Sequence, residues 1–363
     1  MLACMLGIRL TLIKVYKYGV SCKGDRATYL QCIYHASIIV SGNVREQHSY
    51  WSELESNLKV VLARSRAPST SAQYDRAWEK WTHWTFDNKV GSLPAEPKVV
   101  ALYLAHIGKS VSSFSSVKGV YSAIAWKHGI NGFMSPTLSP LVIETIAGLK
   151  RVLAKPVKKK EPFMVEHMQR LHLMLIPGCL TDLRNNCILI IAFFGFLRVE
   201  EIIHLTFGDV VFLVSHVELN LPRSKCDQLR QGSLVVISRL DSFCPVALLE
   251  SYMKVSGSRP EDSMFVFRRI VYQKGAKFLC DKNLPLKYSN VRDIVKAKAA
   301  QLGLNPQGYS THSMRAGGST AAANAGVGDR LFQRHGRWAS AASKDGYVLD
   351  NLADRLSVTQ ALT

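Results

Sequence analysis

Arg198, Lys225, His312, Arg315 and Tyr347 are the residues of this 363-residue chain whose types and order could do chemistry. Two arginines can fork onto the non-bridging oxygens of a phosphodiester and neutralise the charge that builds in its transition state. A histidine can assist proton movement, and a lysine can protonate a departing 5′ oxygen. A tyrosine hydroxyl supplies a covalent nucleophile. A phosphotyrosine ester stores the energy of the broken bond, so such a reaction needs no ATP and reverses to reseal the strand.

Each residue also has a plainer reading. His312 and Arg315, in YSTHSMRAGGSTAAANAG (309–326), are three apart and so share one face at a helix start, where the helix dipole favours an anion. The Ala/Gly run behind them lets that helix pack closely against its neighbours. Arg198 follows the apolar run NCILIIAFFGFL (186–197) and is therefore tied to the core. A charge held there needs an anionic partner, and with Glu201, three residues on, a purely structural ion pair is the alternative reading. Lys225 sits in a turn-like PRSKCDQ, where lysine is common on any surface. Tyr347 ends the mobile-looking HGRWASAASKDGY (335–347), where a lone tyrosine also reads as surface decoration.

Composition narrows the class. Acidic residues are sparse and show no spacing that would gather two or three carboxylates on a divalent ion, and no G-x-x-x-x-G-K-[ST] loop is present. Neither a metal nor any other cofactor is expected. Eight scattered cysteines, with no C-x-x-C pair, point to reduced thiols in a cytosolic or nuclear protein. No apolar run reaches the roughly 18 residues of a membrane span, and the mildly apolar N-terminus, broken by Arg9 and Lys14, reads as an appendage rather than a secretion signal. The net charge of +19 calls for a polyanionic partner, although a generic basic surface would also produce it. It is uneven: residues 1–160 carry +13 and residues 161–363 carry +6.

The elements that must hold these residues can be read from periodicity. KPVKKKEP, within 155–162, is a basic linker. Before it, TSAQYDRAWEKWTHWTF places Tyr74, Trp78, Trp81 and Phe86 near helical spacing, and four or five helices with no strand are expected over 48–154. After it, helices are expected at 163–180, 182–196, 244–255, 289–302, 313–325 and 328–334. A β-hairpin is expected within 210–239, with its tip near 223–232. The fold class is mainly α with a small β-sheet or hairpin.

Taken together, the ordered residues resemble the tyrosine recombinase (phage integrase) family, in the flavour of recombinases of eukaryotic mobile elements. The resemblance covers roughly 50–363. Arg198 and Glu201 match the first arginine motif, Lys225 the hairpin lysine, and His312 with Arg315 the His-x-x-Arg box. The family's His/Trp position typically lies about 23 residues after the second arginine and nine before the tyrosine. Trp338 meets both intervals and the tempting His335 meets neither. Two departures stand out: Phe196 occupies the place of a glycine usually found two before the first arginine, and Ala316-Gly317-Gly318 follows the second.

The resemblance implies an N-terminal helical core-binding (SAM-like) domain over 48–154 and a catalytic recombinase domain over 163–363, with 1–47 unassigned. It implies cleavage of double-stranded DNA through a 3′-phosphotyrosine, by a homotetramer on two DNA sites, with segment 350–363 packing into a neighbour. No membrane is involved, and the protein is nuclear if eukaryotic, otherwise cytoplasmic, and not secreted. Arg64, Arg66, Arg76, Lys80, Lys127 and Lys150 are candidates for phosphate contacts that position rather than specify, and Lys158, Lys159 and Lys160 for the backbone between domains. Each of these also reads as a solvated surface residue. Rival readings are a type IB-like topoisomerase, a catalytically silent DNA-binding descendant of a mobile element and, weakest, an RNA-binding protein.

Overall fold

The computed structural model describes residues 49–156, 158–221, 232–256, 263–273 and 275–362, and the chain divides after Pro156 into two compact units. The first is helical throughout its described residues. Helix α1 covers 49–63, followed by α2 (Pro68–Asp87), α3 (Pro97–Ser110), α4 (Phe114–Ile130) and α5 (Pro140–Val152). Prolines open α2, α3 and α5, where a missing N–H costs nothing and a fixed φ favours the helix. The Ser113 hydroxyl caps α4 by accepting the Ser115 N–H.

The apolar faces meet in a core of Trp81, Val100, Tyr103, Leu104, Val117, Ile124 and Val142. Trp81 is fully buried, lies against Trp84 and Tyr103, and donates its indole N–H to the Ser92 carbonyl. Buried His128 is satisfied at both nitrogens: Nδ1 faces the Ile124 carbonyl at 2.8 Å and Nε2 accepts the Ala95 N–H at 2.9 Å. All four of Tyr74, Trp78, Trp81 and Phe86 lie in α2, with one of them turned outward. Phe86 is 83% exposed, because Thr85, at the fourth position after Trp81, takes the inward place at the end of α2.

In the second unit come α6 (Val165–Leu173), α7 (Leu180–Phe194) and α8 (Val199–Ile203), then strands β1 (Val210–Phe212), β2 (His216–Leu221) and β3 (Ser233–Ser238). These form one antiparallel sheet in the order β1-β2-β3, with Val217 opposite Ile237 and Leu219 opposite Val235, all four buried. The tip of this hairpin, Lys225 included, lies outside the described residues. Helix α9 (Pro245–Val255) is followed by a second antiparallel pair, β4 (Ile270–Gln273) and β5 (Ala276–Leu279). Then come α10 (Tyr288–Gln301), α11 (Ser313–Asn324), α12 (Asp329–Gly336), α13 (Ala341–Asp345) and α14 (Leu352–Gln360).

Helix α7 is the axis of this unit. Its apolar run is buried from Cys187 to Phe193, and α9 and α11 pack against it. The single helix expected over 163–180 stops at Leu173, because Pro177-Gly178, with Gly178 at φ 71°, turns the chain. Strands β4 and β5 were not expected. IVYQ and AKFL pair antiparallel, and Gly275, just before the second of them, supplies the positive φ (82°) that a tight hairpin favours. No described helix is long and apolar enough to cross a membrane.

Candidate functional site

The site is built where three chain reversals meet. At the first, α7 ends at Gly195 and the next residue, Phe196, takes φ +45°. That left-handed conformation is one glycine adopts freely and a bulky side chain rarely does. Position 196 thus keeps a glycine-type backbone with a phenylalanine on it, and its carbonyl is turned into the site. Arg198 then caps α8. Its N–H donates to Glu201 Oε2 and its Nη1 to Oε1, both at 2.8 Å.

Glu201 also receives Arg337 Nη2 at 2.8 Å, so one buried carboxylate holds two guanidiniums. Burial alone would raise its pKa. Arg337 and the backbone and side-chain groups of Arg198 outweigh that and hold the carboxyl below the usual range.

The second reversal is the start of α11, with His312 as its N-cap residue and Arg315 one turn in. The two do point toward one place, yet in different settings: His312 is exposed and Arg315 fully buried. Arg315 donates Nη1 to the Phe196 carbonyl and Nη2 to the Gly336 carbonyl. Burial, followed by repulsion from Arg198 and Arg337, pushes its pKa down to about 10. It therefore remains a cation at neutral pH.

Packing this close depends on Gly317 and Gly318. A Cβ on either would stand 1.7 Å from the Phe163 carbonyl oxygen or 2.1 Å from that of Phe193. The Ala/Gly run does what its composition suggests.

At the third reversal α12 ends in Arg337, at φ 56° and ψ 43°, and the chain passes Trp338 into α13 and Tyr347. The Trp338 ring lies 4.5 Å from the Arg315 guanidinium carbon and 5.8 Å from the Tyr347 ring. Its indole Nε1 is buried with no hydrogen-bond partner among the described residues. The Tyr347 ring is 5.1 Å from the Arg315 guanidinium carbon and 6.2 Å from the His312 ring.

The tyrosine segment is anchored, not loose as its composition suggests. Lys344 is buried on Asp329, the Tyr347 N–H bonds the Lys344 carbonyl, and the Thr320 hydroxyl accepts the Leu349 N–H. His335 turns elsewhere: its Nε2 meets the Phe194 carbonyl at 2.8 Å and its ring stands edge-on to Phe196.

The structure thus brings together Arg198, His312, Arg315, Trp338 and Tyr347, while Lys225 lies outside the described residues. In the first unit Arg64, Arg66, Arg76, Lys80 and Lys150 are exposed and Lys127 is half-buried. Arg66 rests on the faces of Tyr74 and Trp126, and Lys127 pairs with Asp75 at 2.8 Å beside Trp126. Lys158, Lys159 and Lys160 are exposed in the second unit. Lys159 donates to the Gly346 carbonyl at 3.2 Å and Lys160 to the Gln307 carbonyl at 2.6 Å, so these two already engage protein backbone.

Arg337 escaped the sequence reading. It stands between Gly336 and Trp338 in a tripeptide whose tryptophan drew the attention, and nothing in its spacing announces a left-handed arginine facing Glu201.

Residues 165–352 match the model of the Phage integrase family. An integrase/recombinase xerD homolog from Selenomonas ruminantium is 23% identical over 295 residues, spanning 80% of this chain and 84% of that protein. Among solved structures, a lambda integrase (75–356) dimer bound to a COC′ core site superposes with a TM-score of 0.52 at 14% identity. That match covers 83% of this chain and 95% of that one. XerH site-specific recombinase on a palindromic difH substrate, a post-cleavage complex, gives 0.51 at 15% identity, covering 80% and 77%. These two likenesses are likenesses of fold. The family match spans more than half of the chain, and the conclusion follows: the chain belongs to the phage integrase family, the site-specific tyrosine recombinases.

Proposed function

We propose that Tyr347 is the nucleophile of a metal-free DNA strand cleavage and that Arg198 and Arg315 grip the scissile phosphate. The Tyr347 oxygen forms a bond to phosphorus while the bond from phosphorus to the 5′ oxygen breaks, leaving a 3′-phosphotyrosine and a free 5′ hydroxyl. His312 takes up the tyrosine proton and Lys225 supplies one to the departing oxygen. Trp338 donates its indole N–H to a phosphate oxygen. Attack by a 5′ hydroxyl of the partner duplex reverses the chemistry and joins the exchanged strands.

One observation carries this reading. A wholly buried arginine, a buried indole N–H with no described partner and a tyrosine ring lie within about 6 Å of one another, beside an exposed histidine. An uncompensated donor inside a protein is costly, and a phosphate oxygen is an acceptor of the right kind. All of these groups belong to one chain, so the nucleophile serves its own site.

The domain limits proposed are 48–154 for the DNA-clamping part, 155–162 for the linker and 163–363 for the catalytic part. The substrate is double-stranded DNA; among structures of like fold, lambda integrase is bound to a COC′ core site and XerH to a palindromic difH substrate. Arg64, Arg66, Arg76, Lys80, Lys127, Lys150 and the linker lysines 158–160 meet its phosphates. The working assembly is a tetramer on two sites, acting in the nucleus of a eukaryotic host or otherwise in the cytoplasm.

The test uses nicked duplexes of randomised sequence, which trap the covalent complex because the freed fragment diffuses away. Wild type should retain a labelled strand through denaturation, and Tyr347→Phe should retain none while still binding DNA. An adduct of equal yield in both, or in neither, overturns the assignment.

A further inference from the structure

We propose that Arg337 is a positioning residue that locks the two phosphate-gripping arginines into one frame. The proposal rests on the cleavage reading above, but its basis is separate. Arg337 Nη2 donates to Glu201 Oε2 at 2.8 Å and to the Phe196 carbonyl at 3.0 Å, and Nη1 to the carbonyls of His335 at 2.8 Å and Gly195 at 3.2 Å. Two of these acceptors are shared. Glu201 holds Arg198 with its other oxygen, and the Phe196 carbonyl also receives Arg315. A continuous path therefore runs from Arg198 through Glu201, Arg337 and the Phe196 carbonyl to Arg315, closed on the far side by Arg315 on the Gly336 carbonyl.

Two features set Arg337 apart from an ordinary structural arginine. Its backbone is left-handed (φ 56°), and so is that of Phe196 (φ 45°), the residue whose carbonyl it shares. Each such residue is strained and persists only where its surroundings over-determine it. Here the strained pair faces each other across the site, and four hydrogen bonds from one guanidinium hold it. Its side chain is also only 7% exposed, against 13% for Arg198. Arg337 is thus set deeper than Arg198, while Arg315 is more buried than either. Only a planar fork can reach a carboxylate and three carbonyls at once. A lysine could keep the Glu201 pair and would lose the rest.

The experiment uses the full chain with Arg337→Met and Arg337→Lys, reading three quantities: affinity for duplex DNA, adduct rate on the nicked duplexes at saturating protein, and the slowly exchanging guanidinium NMR signal of Arg315, assigned by its loss in Arg315→Lys. A displacement of about 1 Å can cost on the order of 100-fold in rate. Arg337→Met is expected to lower the adduct rate by about that factor, with affinity within threefold of wild type and the Arg315 signal shifted or broadened. Arg337→Lys is expected to recover about tenfold of that loss.

The proposal is overturned if Arg337→Met cleaves at the wild-type rate, if the Arg315 signal is unchanged, or if affinity, rate and melting temperature fall together with no recovery in the lysine variant. If wild type forms no adduct, the cleavage reading falls, and the bracing role is decided by the Arg315 signal alone.

Discussion

The two units carry their positive charge in opposite ways. The first carries +10 over residues 1–156, and among its described residues no lysine or arginine is buried; its interior is tryptophan, tyrosine and aliphatic side chains. The second carries nearly the same net charge, +9 over residues 157–363, yet Arg184, Arg268, Lys298, Arg315 and Lys344 lie inside it. An exposed cation keeps its water and its freedom, and acts on a polyanion through long-range attraction that salt screens. A buried cation has lost its water and must be held by acceptors in a fixed geometry, so it can act on one atom at one place. The comparison separates two tasks: attraction needs number, and chemistry needs confinement.

Breaking the confinement should produce the largest effects. Lys298 and Asp182 form a buried ion pair, with Asp182 also accepting the Ile176 N–H at 2.9 Å. Lys298→Met should cost about 3–5 kcal/mol of stability by denaturant titration, because it strands a buried carboxylate. Adding Asp182→Leu should recover part of it, and full stability in the single variant would contradict the picture. Next comes Arg315→Lys, which keeps the charge and loses the fork. Its adduct rate should fall about 10²–10³-fold while DNA affinity changes little.

A smaller effect separates charge from shape at Glu201. Its pKa is depressed in the folded protein, so the carboxylate stabilises the fold above the ordinary carboxylate range and loses that contribution as pH falls through the lowered value. Glu201→Gln should therefore be less stable than wild type at neutral pH, and thermal melts in increasingly acid buffers should show the gap closing. A gap independent of pH would mean that shape alone is at stake. The smallest effect belongs to the exposed face. Arg76→Ala or Lys80→Ala should each lower DNA affinity only severalfold, equally for all sequences, and reduce the slope of log K against log salt by about 1. An unchanged slope would remove that residue from the interface.

Much of this division was legible before any coordinates. The apolar run of α7, the proline-led helices and the alternation in β2 and β3 are local patterns, set by side chains a few residues apart. The interval from Arg315 to Trp338 to Tyr347 pointed to the site in another way, through the family resemblance rather than through local pattern. What stayed hidden was the meeting of distant backbone acceptors. Arg337 and Glu201 are 136 residues apart, and their pairing depends on two positive φ angles that Arg and Phe do not advertise. Phe86 shows the limit of periodicity at a helix end, where α2 presents its last turn to solvent. Lys225 falls outside the described residues, so its place in the site rests on the sequence alone.

Phe196 carries two duties that usually fall to different residues. Its carbonyl is a shared acceptor for Arg315 and Arg337, and its ring packs against Phe332, Trp338 and His335. A glycine would relax the backbone and remove that wall; another bulky residue would keep the wall and the tension. The position is consequently a point of low evolvability. Changes there move the electrostatic and steric halves of the site in opposite directions, because the carbonyl and the ring belong to one residue.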